Sequence, residues 1–132
     1  MNTNSTLRLG QLELAVLDYL WSHLECDAKS LHRVIGKDRG ICVNTIQSTL
    51  ERLYKKKLLS RTKVSHAYWY SSIVDRTQLL TRRIDDLTSE IAKGQTNSVL
   101  SAFVEFTARM DDFSLEQLEK LIAQRKKADE GK

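Results

Sequence analysis

The residues best placed to do chemistry lie in VNTIQSTLERLYKKK, Val43 to Lys57, and the chemistry is recognition, not catalysis. Wound at about 100° per residue, this stretch gathers Val43, Ile46, Leu50 and Leu53 into an apolar stripe and turns Thr45, Ser48 and Arg52 to the opposite side. Short hydroxyl side chains there can donate to or accept from base edges, and the Thr45 methyl can rest on a thymine methyl. Arg52 suits a guanine or a phosphate. Asn44 has two readings, a base contact or the first residue of an Asn44-x-x-Gln47 capping box. Gln47 leans towards the buried edge and Thr49 lies at the flank. Directly afterwards come Lys55, Lys56, Lys57, Arg61 and Lys63, and no acidic residue interrupts the run from Arg52 to Lys63. A polar face beside such a run matches a DNA major groove with its flanking phosphates. The expected base contacts are Asn44, Thr45, Ser48 and Arg52, and the expected phosphate contacts are Lys55, Lys56, Lys57, Arg61 and Lys63.

Other chemistry is thin. His23, His32 and His66 fall in different elements, and with Cys26 and Cys42 they show no close metal-ligand spacing. There is no nucleophile motif, no glycine-rich phosphate loop and no tight carboxylate constellation. Asp85-Asp86 and Asp111-Asp112 read as solvated helix and loop charges. Trp21 and Trp69 sit among apolar neighbours and read as core. No catalytic residue, metal or cofactor is expected, and the two cysteines read as ordinary reduced thiols.

The elements that must position the basic helix follow from periodicity. LGQLELAVLDYLWSHL spaces Leu9, Leu12, Val16, Leu20 and Leu24 on one helical face, widened by Leu17 and Trp21. Asp27 can cap DAKSLHRVIG, whose Leu31, Val34 and Ile35 face inward and whose Gly36 is a natural stop; Gly40 in the following loop is free to take positive φ. The reading helix then spans 43–57. LLSRTKV and AYWYSSI, parted by Ser65-His66, form a hairpin over 58–73 with a loose tip, because neither residue favours the positive φ of a tight connection. Three helices and a hairpin make a winged helix-turn-helix.

The tail is helical throughout. Asp75-x-x-Gln78 opens a helix with Leu80, Ile84, Leu87 and Ile91 at seam spacing. The next helix carries Val99, Leu100, Phe103, Val104 and Phe106 round most of its circumference. Ser114-x-x-Gln117 starts a last helix with Leu115, Leu118, Leu121 and Ile122, before RKKADEGK frays. A tail so apolar needs cover, and a second copy of the chain supplies it most simply, with Leu80, Ile84, Leu87, Ile91, Val99, Leu100, Phe103, Val104, Phe106, Leu118 and Ile122 at the interface. The expected architecture is mainly α: a winged-helix DNA-binding domain at 1–74 and a helical dimerisation region at 75–132.

Charge and composition agree. Residues 1–74 carry 11 Lys/Arg against 6 Asp/Glu, a net +5, whereas 75–132 carry 10 against 11. No proline and five glycines favour long helices over a turn-rich sandwich. No apolar run approaches the roughly 20 residues that span a bilayer, and the polar start MNTNSTLRLG has no export signal, so no membrane partner and a cytoplasmic location are expected.

LGQLELAVLDYLW, VNTIQSTLERLYKKKLLSRTK and AYWYSSIV together resemble the penicillinase-repressor (BlaI/MecI) family of bacterial transcriptional regulators, from about Leu9 to the last helix. The resemblance implies a homodimer joined through its C-terminal helices that binds a palindromic operator and represses transcription. Its antibiotic-resistance members are induced by cleavage at an Asn-Phe bond in the dimerisation region. This chain has Ala102-Phe103 and Glu105-Phe106 there and no Asn-Phe anywhere. The copper-responsive relatives carry a C-terminal cysteine cluster, and no cysteine follows Cys42 here. Neither mode of induction is therefore expected, and no residue pattern specifies an upstream sensor. Two other readings fit the same elements: a winged-helix protein-interaction module, and a sequence-tolerant DNA-coating protein.

Overall fold

The computed structural model describes residues 9–131; the polar opening stretch read above lies mostly outside them. The elements run α1 (Gln11–Ser22), α2 (Ala28–Leu31) continued by a π-helical turn (His32–Gly36), α3 (Val43–Lys55), β1 (Leu59–Val64), β2 (Ala67–Ser72), α4 (Arg76–Ala92), α5 (Thr96–Thr107) and α6 (Asp112–Glu130). The first three helices and the hairpin form the winged helix-turn-helix that the periodicity predicts. Two compact units divide inside α4, one ending at Asp86 and the other beginning at Leu87.

The core of the first unit is built from Val16, Leu17 and Leu20 of α1, Leu31 of α2, Ile46, Leu50 and Leu53 of α3, and Leu58, Leu59 and Tyr70 of the hairpin region. Leu79 of α4 joins it, one residue before the stripe that begins at Leu80. Periodicity carried two residues too far. Leu24 is 93% exposed because α1 ends at Ser22 and the chain turns extended at His23. Val34 is exposed because the π-helical turn rotates it off the α-helical face. That turn also brings His32 over Gly36, where a Cβ would meet the imidazole at 2.6 Å, so Gly36 serves a close approach. Asp27 caps α2 by accepting from the Ser30 N–H at 2.9 Å, and Gly40 takes φ +66°, both as expected.

The hairpin is two-stranded and antiparallel, pairing Leu59 with Ser72, Arg61 with Tyr70 and Val64 with Ala67. Its tip is tight, not loose: Ser65 and His66 close it directly, with Ser65 at φ +60°. The strand twist on either side imposes that conformation on a residue that does not prefer it. Cys26 adds a one-residue third strand, donating to the Tyr70 carbonyl at 3.0 Å and accepting from its N–H at 2.8 Å. Trp21 donates from Nε1 to the Val74 carbonyl at 2.8 Å, tying α1 to the segment leaving the wing.

In the second part of the chain, Asp75 and Gln78 exchange the reciprocal bonds of the expected capping box at the start of α4. The last helix begins earlier than expected. Asp111, not Ser114, caps it, accepting from the Ser114 N–H at 2.7 Å. The helix then continues to Glu130, through most of the segment expected to fray. No residue of α5 or α6 is buried.

Candidate nucleic-acid interface

The α3 helix starts after extended Cys42, so Asn44 lies inside its first turn and the Asn44-x-x-Gln47 box does not form. Asn44 is exposed, as are Thr45, Ser48 and Arg52, and the helix presents all four on its outward side. Gln47 is exposed too, in place of the buried edge expected for it, and it lines a cleft of about 390 Å³ between Asp27–Lys29 and the hairpin tip. Thr49 is fully buried and donates its hydroxyl to the Thr45 carbonyl at 2.8 Å. Its oxygen also accepts from Arg52 Nη2 at 3.2 Å, which steadies the guanidinium at the edge of the outward face.

The cations divide into two groups. Lys55, Lys57 and Lys63 are exposed. Lys55 approaches Glu51 only to 3.9 Å, and Lys63 stands 5.8 Å from the centre of the Tyr68 ring. Lys56 is instead engaged inside the fold. Its ammonium lies 2.7 Å from Glu13 Oε2, and Glu13, 8% exposed, also accepts from the Gly10 N–H at 3.2 Å. Arg61 pairs with Glu51 and lies over two aromatic rings, those of Tyr54 and Tyr68. The Tyr70 hydroxyl, and after it the Glu51 carboxylate, hold its guanidinium above its already high ordinary pKa.

The end of α3 differs from the 43–57 span. The helix closes at Lys55, and Lys57 takes φ +65°. Lys57 N–H bonds to the Tyr54 carbonyl at 3.0 Å and Leu58 N–H to the Leu53 carbonyl at 3.1 Å. This is a Schellman closure, fastened by burial of both leucines, with lysine where glycine is usual.

The two thiols are opposites. Burial pushes the Cys26 thiol up to about 12, with Asp27 and Glu25 adding to the shift. Cys42 is exposed at the start of α3, and the Thr45 hydroxyl, 3.3 Å from its sulfur, lowers its pKa. Among the described residues, no group of His, Cys, Asp or Glu could hold a metal ion, and no helix is long and apolar enough to cross a membrane.

Sequence reasoning passed over a second basic flank. Lys29, Arg33, Lys37 and Arg39 are all exposed along the α2 segment and its following turn, and α2 packs on α3. Asp38 and the scatter of these residues over two elements hid them from a search for contiguous charge.

Comparison with known proteins bears on the same elements. A family model described as penicillinase repressor matches residues 9–124. The chain belongs to that family. The penicillinase repressor family consists of transcriptional repressors, which are not enzymes. Among its relatives is the transcriptional regulator BlaI of Mycobacterium tuberculosis, 32% identical over 100 residues that cover 74% of this chain and 72% of the relative. The methicillin resistance regulatory protein MecI of Staphylococcus aureus is 25% identical over 118 residues, 89% of this chain and 93% of MecI. The solution structure of the DNA-binding domain of the repressor BlaI aligns with a TM-score of 0.49 at 25% identity, covering 54% of this chain and 87% of that one.

Proposed function

We propose that this penicillinase repressor family member is a homodimeric transcriptional repressor that binds a palindromic operator in double-stranded DNA. The observation that carries the reading is the outward face of α3, where Asn44, Thr45, Ser48 and Arg52 stand exposed between basic flanks. Those side chains read base edges in the major groove. Lys55, Lys57 and Lys63 neutralise phosphates on one side, and Lys29, Arg33, Lys37 and Arg39 of the α2 segment approach the backbone on the other. Lys56 and Arg61 act within the fold.

The dimer rests on the apolar surface of the tail. Leu80, Ile84, Leu87, Ile91, Leu100, Phe103, Val104, Phe106 and Ile122 are all exposed, and Val99 and Leu118 are half-buried. A monomer rarely leaves so many large apolar side chains in water. A DNA-binding part at 1–74 is followed by a dimerising part at 75–132, and α4 contributes to both compact units.

The test is capture of the source organism's genomic fragments by purified protein at two salt concentrations. A short inverted repeat that persists at the higher salt is the expected result. Diffuse capture that salt erases would refute a sequence-specific repressor.

A further inference from the structure

We infer that Arg61 is a positioning residue that fastens the wing to the reading helix, and that the acidic Glu51 is therefore needed for DNA binding. The inference rests on the proposed DNA-binding role of α3 and the wing.

Strand geometry is the first support. Arg61 lies two residues after Leu59, which is 2% exposed, and so on the same strand face. It pairs across the hairpin with Tyr70, which is 5% exposed, so its side chain leaves the inward face of the strand. The side chain is only 19% exposed. The guanidinium carbon is 4.0 Å from the centre of the Tyr54 ring and 4.1 Å from that of Tyr68, and Arg61 Nη1 bonds to Glu51. Glu51 and Tyr54 are three residues apart on α3, and Tyr68 is on β2. One side chain on β1 thus joins all three elements of the reading surface.

The chemistry suits arginine alone. A planar, weakly hydrated cation can lie over aromatic faces and still present N–H groups to a carboxylate, whereas a lysine ammonium is a compact, strongly hydrated point charge. A two-stranded hairpin is marginal by itself, so the wing needs such an anchor to hold a fixed angle to α3. The angle decides whether Lys63 reaches a phosphate while Thr45 and Ser48 meet the bases.

The consequence has a distinctive sign. Removing a carboxylate from among cations that face DNA ordinarily tightens binding, through the field alone. Here Glu51→Gln should weaken it, by releasing Arg61. Arg61→Lys should also weaken it although the charge is retained.

The test compares wild type, Glu51→Gln and Arg61→Lys as full chains whose folding is verified by circular dichroism. Amide hydrogen exchange of β1 and β2 is measured in free protein. Affinity is measured for a duplex that the wild type selects from a random-sequence pool. Expected are faster hairpin exchange in both variants and affinities about fivefold to tenfold weaker. Tighter binding by Glu51→Gln, or hairpin exchange unchanged in both variants, overturns the inference. If the wild type selects no sequence, the repressor reading fails, and the exchange measurement alone decides whether Arg61 fixes the wing.

Discussion

At the scale of single residues, Thr45 and Ser48 separate reading from clamping. Both are exposed on the outward side of α3, and neither carries charge. Thr45→Ala or Ser48→Ala should cost about 1–3 kcal/mol on the selected site and relax its sequence preference, with the salt dependence unchanged. Lys63→Ala should weaken all duplexes alike and reduce the log–log salt slope by about 0.9 per subunit. Binding titrations on selected and scrambled duplexes distinguish the two; equal losses on every sequence for all three variants would sink the base-reading role. The thiols give a second residue-scale test. Cys26, raised to about 12 by burial, stays protonated through neutral pH, whereas Cys42 is lowered and exposed, so its thiolate fraction grows as pH rises towards and past its pKa. Iodoacetamide should therefore label one cysteine per native chain, Cys42, faster with rising pH, and both after unfolding. Mass spectrometry that found Cys26 labelled in the native state would contradict this. The outward side of α3 was legible because helical geometry fixes it. The fate of Lys56 was not, since its partner Glu13 is 43 residues away and no local pattern joins them.

At the scale of elements, the C-terminal end of α3 shows what composition can hide. Lys57 occupies the left-handed position of the closing turn, where a lysine side chain costs about 1–2 kcal/mol. Lys57→Gly should thus stabilise the fold by roughly 1 kcal/mol in urea melts while weakening DNA binding. A variant both less stable and unaltered in binding would remove the case for this lysine as a phosphate contact. Lys56→Met tests the opposite trade. It leaves the nearly buried Glu13 carboxylate without its cation, and about 2 kcal/mol of stability should be lost, less than for a fully buried pair because Lys56 keeps a third of its side chain exposed. The lysine run looked uniform as sequence, yet its three members have three surroundings: one exposed on the helix, one bonded to α1, one in a strained turn. Strand parity did contain a clue. Arg61 shares a face with Leu59, and that alternation pointed inward where its charge suggested solvent. The tight tip was illegible, because the conformation of Ser65 is set by the strands beside it and not by its own preference.

At the scale of the whole molecule, the proposed dimer has each winged helix read one half-site, with the tail setting how many are read together. Periodicity made the tail's apolar stripes plain, whereas the helix starts shifted because Asp111 caps α6 where Ser114 had been expected to. The rings of Phe103 and Phe106 on α5 lie tilted against each other, 6.2 Å between centroids, and both residues are exposed. Phe103→Asp should halve the mass seen in sedimentation without lowering the melting of the winged helix, since the core of that unit contains no residue of α5. Its effect on DNA is calculable. Lys55, Lys57 and Lys63 alone should contribute about −5 to the log–log salt slope of a dimer on its operator and about −3 to that of the monomeric variant on the same duplex. Phosphate contacts from the α2 segment steepen both in the same two-to-one ratio. Loss of the linked second contact should also weaken binding to the inverted repeat about a hundredfold, while affinity for an isolated half-site stays at the wild-type single-site value. A variant that remained dimeric would assign Phe103 to some other contact. A monomer with undiminished affinity and slope would mean that one winged helix does all the binding, and the palindrome would no longer follow from two-fold symmetry.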